Sequence, residues 1–291
     1  MSQAAASSSA GEAPGESELG AAEFAAIAAI MQREARIHLS DAKRTLVHSR
    51  LSRRLRERRL ATFRDYVAMV QHDAEERATM VVALTTNHTH FFREAHHFDH
   101  FRETLMPELK RAASARPVRI WSAGCSSGEE PYTIAMCLLG RDRTAAAWLR
   151  QADVRILATD ISTPMVEATR RGVYGAAAAE AIPEPYRSAW LRPSPQGVEI
   201  APEARALVTA RPLNLFEPWP MRQRYDAIFC RNVMIYFDDA AKAELELRLA
   251  DRLAPGGFLY IGHSERLIGP AAQKLGLCGQ TLYAHAQEAS R

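Results

Sequence analysis

At roughly 150 residues per domain, a chain of 291 residues has room for about two domains, and 47% hydrophobic with 24% charged residues excludes a wholly disordered protein. Cys125, Cys137, Cys230 and Cys278 stand apart with no CxxC pair, which excludes a zinc ribbon and argues for a reducing compartment. No apolar run approaches the roughly 18 residues of a membrane span, and the N-terminus lacks the basic and apolar stretches of a signal peptide, so a cytoplasmic protein is expected.

Residues 1–20 are mostly Ala, Ser, Gly and Glu, too poor in apolar groups to offset their ordering entropy, and read as a disordered tail. Residues 21–80 read as a small all-helical domain, with Phe24, Ile27 and Ile30 or Met31 on one stripe, Ser40-Asp41 opening a second helix, and Phe63, Tyr66, Val67 and Val70 on a third. The net charge of +3 is unevenly spread: Lys43 to Arg59 holds eight cations and one acid, a local +7 that leaves the rest at −4. In its helix Val47, Leu51 and Leu55 form the packing stripe, Arg53 and Arg56 point the opposite way, and Arg50, Arg54 and Arg59 flank it. A solvated face, a nucleic-acid contact and a docking surface for an acidic partner all fit such a run. Missing aromatics for base stacking and an acidic remainder disfavour nucleic acid.

Residues 81–116 read as a linker and a helix bearing Phe98, Phe101, Leu105 and Leu109, and 117–291 as a second domain. There the apolar runs Val118–Ala123, Arg155–Thr159, Asp226–Cys230 and Phe258–Gly262 alternate with helices near Glu130–Leu139, Thr163–Arg171 and Asp239–Leu253, the signature of a doubly wound, mostly parallel α/β sheet. Between about 181 and 212 the rhythm breaks into proline-rich pieces with a hairpin near Gly197, a small β insertion.

The run Trp121-Ser-Ala-Gly-Cys-Ser-Ser-Gly-Glu-Glu-Pro-Tyr132 links the first strand to a helix, at the edge where open α/β sheets bind ligands. It is neither GxGxxG nor a phosphate loop, and its acids would repel a diphosphate but favour an ammonium or sulfonium group. A tight turn whose acids complement the helix dipole is an equal reading. Asp160 ends the second strand, where a carboxylate either hydrogen-bonds ribose hydroxyls or caps the next helix. Ribose without diphosphate points to S-adenosylmethionine.

Six blocks carry a resemblance: Thr85-Thr-Asn-His-Thr-His-Phe-Phe-Arg-Glu94 with His96-His97-Phe98, Ser126-Ser-Gly-Glu-Glu-Pro-Tyr132, Ala158-Thr-Asp160, Asp226-Ala-Ile-Phe-Cys-Arg-Asn-Val-Met-Ile-Tyr-Phe237, Gly262-His-Ser-Glu265 and Gly279-Gln-Thr-Leu-Tyr283. In order and spacing, from about residue 22 to 285, the chain resembles the chemotaxis receptor methyltransferase (CheR) family. That resemblance implies a Rossmann-like class I methyltransferase fold and methyl transfer from S-adenosylmethionine to glutamate side chains of chemoreceptor cytoplasmic helices, giving glutamyl methyl ester and S-adenosylhomocysteine. It carries cofactor contacts to Asn87, Thr89, Arg93, Glu130, Asp160, Asn214, Leu215, Arg231 and Asn232, with Glu130 preferred to Glu129 by counting from neighbouring blocks. It also favours receptor docking by Arg50, Arg53, Arg54, Arg56 and Arg59. The 181–212 insertion corresponds to the subdomain with which some members grip a receptor C-terminal pentapeptide; Arg192–Ile200 is shorter around its turn and richer in proline, so dependence on that peptide is not expected.

A glutamate carboxylate, with an ordinary pKa of about 4.3, is already a nucleophile at neutral pH, so the enzyme's task is alignment rather than base catalysis. Arg93 could pair a carboxylate with its planar fork and the Tyr236 hydroxyl could bond a reacting group, making these two the expected catalytic residues. His88, His90, His96, His97 and His100 crowd around Glu94, but without HExxH or a nearby cysteine no metal is expected. His263 reads as a structural hydrogen-bonding residue. Nothing in the chain calls for an obligate oligomer, so a monomer is expected. The competing reading is a regulatory module that binds S-adenosylmethionine without turnover.

Overall fold

The computed structural model describes residues 18–285. Up to position 17 the expected tail lies outside the described residues, and Leu19 is already buried. The chain forms two compact units, divided between Thr85 and Thr86.

The first unit holds α1 (Ala21–Ala35), α2 (Arg44–Arg58), α3 (Phe63–His72) and α4 (Ala74–Leu84). Their apolar stripes, among them Phe24, Ile27, Ile30 and Met31 of α1, Val47, Leu51 and Leu55 of α2, and Phe63, Tyr66 and Val70 of α3, are buried. Thr62 caps α3 by accepting the Asp65 amide at 3.1 Å, and Asp73 caps α4 by accepting those of Glu75 and Glu76 at 2.9 and 3.0 Å.

The basic run is answered from within. Glu76 of α4, fully buried, accepts Arg54 Nε at 2.9 Å and Nη2 at 2.6 Å, the Tyr66 hydroxyl at 2.9 Å, and Arg58 Nε. Arg50 Nη1 donates to the Thr85 carbonyl at 2.7 Å. Two of the five expected docking residues are thus engaged within the unit: Arg54 is drawn inward by a buried carboxylate and Arg50 ties α2 to the end of α4. Arg53, Arg56 and Arg59 stay exposed, with Arg53 paired to Glu57 at 2.8 Å across one helical turn.

The second unit is a seven-stranded sheet over a helical frame. Its strands are β1 (Val118–Ala123), β2 (Val154–Asp160), β6 (Val208–Pro212), β7 (Tyr225–Cys230), β8 (Leu253–Ile261), β9 (Leu275–Gly279) and β10 (Leu282–His285), in the order β6-β2-β1-β7-β8-β10-β9. The first five run parallel, and β10 is antiparallel to both neighbours. Alternation sorts each strand between two cores: Ile120, Phe229 and Tyr260 pack on one face with α5 (Ala95–His100), α6 (Met106–Ala113) and α7 (Glu129–Leu139), while Trp121, Ile228 and Leu259 pack on the other with α12 (Asp239–Arg252) and α13 (Ala271–Lys274). Between α5 and α6 the helix widens into a π turn over Phe101–Leu105, just ahead of Pro107, whose missing N–H and bulky ring an ordinary turn would not accommodate.

Between β2 and β6 come α8 (Thr163–Arg171), α9 (Ala176–Ala179), α10 (Glu184–Trp190) and α11 (Pro202–Arg205), with a separate antiparallel sheet of β3 (Val173–Tyr174), β5 (Gly197–Ile200) and β4 (Leu191–Ser194). The expected insertion at 181–212 is therefore displaced. It gains β3 at its start and loses Val208–Pro212, which lie in register with Ile156–Asp160 of the main sheet. The mixed sequence Val-Thr-Ala-Arg-Pro hides that strand because β6 sits at the sheet's edge, where polar side chains and a proline are tolerated.

Candidate functional site

The carboxyl ends of β1, β2, β7 and β8 converge with the segment 86–94 that precedes α5. The turn after β1 uses left-handed backbone at Gly124 (φ 81°), Ser126 (φ 50°) and Gly128 (φ 100°). A Cβ at Gly124 would lie 2.4 Å from Val233 Cγ2, and one at Gly128 would lie 2.8 Å from the Tyr174 hydroxyl, so only glycine fits either place. Asp160, buried at the end of β2, accepts the Ser126 amide on Oδ2 at 2.8 Å and the Ser162 amide on Oδ1 at 2.9 Å. Ser162, not Asp160, stands at the N-cap of α8, which sets aside the capping reading. Burial pushes the Asp160 pKa up, against the pull of those amides. Each oxygen retains a lone pair for a further donor.

Arg231, the residue after β7, is the hub of the polar cluster. Its Nη1 donates to Glu130 Oε2 at 3.1 Å, Nη2 lies 3.3 Å from Glu94 Oε2 and also donates to the Arg93 carbonyl, and its guanidinium carbon sits 5.4 Å over the Phe98 ring. Glu130 accepts Ser122 Oγ at 2.6 Å on its other oxygen, whereas Glu129 turns to the Ser127 hydroxyl. Burial raises the Glu130 carboxyl, with Arg231 opposing. Burial also works against ionisation of Glu94, but Arg231 and His263, whose Nδ1 is 3.0 Å from Glu94 Oε1, hold it down at about 2.

His97 is buried, with Nε2 against the Gln280 carbonyl at 3.2 Å and Thr281 Oγ1 at 3.0 Å. Burial, then the nearby Arg231, lower its pKa to about 3, so the ring is neutral at working pH. Glu94, His96 and His97 each bring one possible ligand atom within 4.8 Å of the others, but the positive charge already beside Glu94 is the guanidinium of Arg231.

The other expected site residues surround this cluster. Asn87 gives its carbonyl to Ser126 Oγ at 2.9 Å, Thr89 is half-buried nearby in sequence, and Arg93 closes the 88–93 turn with a 2.9 Å bond to the His88 carbonyl. Asn214 and Leu215 follow β6, Asn214 Oδ1 accepting the Phe216 amide at 3.0 Å and Leu215 lying in the core beneath. Asn232 (φ 58°) donates from Nδ2 to Glu94 Oε1 at 3.3 Å, and Tyr236, half-buried, ends a short 3₁₀ turn over Met234–Tyr236. Glu94, Ser122 and Glu265 also join the network; in the sequence Glu94 stands out only as the centre of a histidine cluster, and Ser122 and Glu265 only as members of the quoted Trp121–Tyr132 and Gly-His-Ser-Glu runs.

The arrangement fits S-adenosylmethionine. Glu94 and Glu130 against Arg231 leave one negative charge when both acids are ionised, matching a methionine moiety that carries an ammonium, a sulfonium and a carboxylate. Among the described residues, Arg231 Nε and Ser162 Oγ are buried polar atoms without a hydrogen-bond partner, as a site that takes a polar ligand requires.

The chain matches two family models, the CheR methyltransferase SAM-binding domain over residues 87–283 and the CheR methyltransferase all-alpha domain over residues 22–85. It is 41% identical over 257 residues to a probable chemotaxis protein methyltransferase of Rhizobium etli, covering 86% of this chain and 94% of that one. It is 41% identical over 255 residues to chemotaxis protein methyltransferase 2 of Pseudomonas aeruginosa (86% and 88% covered), and 38% identical over 272 residues to the chemotaxis protein methyltransferase of Escherichia coli (90% of each). With both parts matched nearly end to end and the cofactor-binding edge built as described, the chain belongs to the CheR methyltransferase family and is an S-adenosylmethionine-dependent methyltransferase.

Proposed function

We propose that the protein methylates glutamate side chains on the cytoplasmic helices of chemoreceptors, serving sensory adaptation in chemotaxis. The observation that carries this reading is the match of both family parts to relatives named chemotaxis protein methyltransferases, in a chain whose first unit exposes Arg53, Arg56 and Arg59. Bound S-adenosylmethionine supplies an activated methyl on a sulfonium. The chain's own residues then have three tasks. Asp160 and the Gly124–Gly128 turn hold the ribose end, while Glu130, Glu94 and Arg231 balance the charge of the methionine end. Arg93 and Tyr236 orient the incoming carboxylate in line with the methyl carbon and the departing sulfur. The bond from carboxylate oxygen to methyl carbon forms as the carbon–sulfur bond breaks, its electron pair going to sulfur. No proton moves, so no general base is needed, and the neutral His97 and the ion-paired Glu94 are suited to structure rather than proton transfer.

Incubation with methyl-labelled S-adenosylmethionine and receptor cytoplasmic fragments, followed by alkali, is expected to release volatile labelled methanol, the mark of a glutamyl ester. Label that survives alkali, or that enters nucleic acid or a small molecule instead, would overturn the assignment.

A further inference from the structure

Glu265 is buried at 5% exposure in the loop that leaves β8, and its own amide closes the turn onto the Gly262 carbonyl at 2.9 Å. Its partners are backbone amides. Oε2 accepts the Gly262 amide at 2.5 Å and the Asn232 amide at 3.0 Å, Oε1 accepts the Ile235 amide at 3.2 Å, and the Met234 amide of the same turn also bonds the carboxylate. Asn232 stands in left-handed backbone, φ 58°, a conformation that asparagine adopts more readily than other residues with a Cβ, and the Glu265 carboxylate holds its amide there. The end of β8 approaches it so closely that a Cβ on Gly262 would lie 2.4 Å from Asn232 Nδ2. Ile235 occupies the middle of the 3₁₀ turn that ends in Tyr236.

We propose that Glu265 is a positioning residue that sets both halves of the site with one carboxylate, Oε2 fixing Asn232 on the cofactor side and Oε1 fixing the turn that carries Tyr236 on the acceptor side. The inference rests on the proposed function for the role of Tyr236 and on the family resemblance for the cofactor contact of Asn232. Its geometry makes the two halves separable. A glutamine at 265 has one acceptor oxygen; placed at the Oε2 position it keeps the two amides of Gly262 and Asn232 and sets its NH₂ against the Ile235 amide, donor against donor. The opposite orientation would give up the two shorter contacts, of 2.5 and 3.0 Å, to keep the one of 3.2 Å, so the first is favoured.

E265Q is therefore expected to lower kcat by about tenfold or more, as small misplacements of reacting groups do, with cofactor affinity by calorimetry held within about threefold and KM for the receptor fragment little changed. An unchanged kcat accompanied only by a lower melting temperature would reduce Glu265 to a structural staple and overturn the proposal. Cofactor affinity falling in step with kcat would overturn it too, because the two oxygens would not divide the work. If E265Q shows no cooperative melt, E265D, which keeps both acceptors but shortens the reach, is judged by the same split between kcat and affinity. Y236F measured alongside tells the underlying reading apart: full turnover there removes Tyr236 from the acceptor side and leaves the Glu265 result, read from kcat against affinity, standing.

Discussion

At the scale of single residues, Asp160 shows why the choice of substitution matters. Its carboxylate satisfies two buried amides in addition to any ligand it receives, so an alanine would leave Ser126 and Ser162 unpaired at about 1–3 kcal/mol each and confuse folding with binding. Asp160→Asn keeps the shape and one acceptor while removing the charge. It is expected to weaken S-adenosylmethionine binding by about 10- to 100-fold, of the order of one hydrogen bond to an ionised acceptor, and to move the melting temperature far less than Asp160→Ala; unchanged calorimetric affinity would remove Asp160 from the ribose site. Arg231 poses the opposite case. Its two terminal nitrogens are committed to Glu130, Glu94 and the Arg93 carbonyl, so truncating it would disturb the pocket wall along with any contact its Nε makes to the cofactor.

At the scale of elements, α2 separates cations by their partners. Arg54 and Arg58 neutralise a buried acid, and such pairs are costly to break because one charge is left stranded. Arg53 and Arg56 face solvent, where pair energies are small and screened by salt. Replacing both by Glu should weaken methylation of receptor fragments several-fold at low salt, flatten its salt dependence and spare cofactor affinity; a response confined to cofactor binding would rule out docking by this face. The same helix marks how far sequence carries. Its packing stripe, Val47, Leu51 and Leu55, is written in the local period, and so are β1 and β7, buried on both faces and therefore mostly apolar, with Arg119, Ser122 and Asp226 as the exceptions. The Arg54–Glu76 pairing is not, since it depends on which face of α4 lies against α2. Likewise the quoted blocks brought Glu94, Glu130 and Arg231 into view, but the contact of Arg231 with Glu94, 137 positions earlier, is made only by the sheet. The edge strand β6 went unread because edge position relaxes the very pattern that identifies a central strand.

At the scale of the whole molecule, proton linkage follows from the buried polar groups. His97 faces Glu94, Arg231, His96, Gln280 and Thr281, and its pKa falls from 6.5 to about 3 on folding. The folded state thus binds fewer protons than the unfolded chain between those values. Its contribution to stability is fully present above pH 6.5 and is lost as pH falls toward 3, at up to about 1.4 kcal/mol per pH unit. Glu94, lowered from 4.5 to about 2, adds a loss of the same sign in a more acid window. Denaturant unfolding is expected to show stability dropping between pH 6.5 and 4.5, with His97→Gln flattening that segment; an unaltered slope in the variant would mean that other groups carry the linkage.

The turn after β6 also gives the molecule an optical voice. Trp219 donates its indole Nε1 to the Leu215 carbonyl at 3.1 Å and packs edge-on against Trp121 of β1, with centroids 4.8 Å apart. A ligand that settles on Asn214 and Leu215 would sit beside the residue whose carbonyl this indole holds, and the neighbouring ring lies in the strand that leads to the Gly124 turn. The tryptophan emission should therefore shift as the pocket fills, and Trp219→Phe should mute it. Titrating the unlabelled protein in a cuvette would then follow occupancy of the pocket in real time, independently of whether any methyl group is transferred.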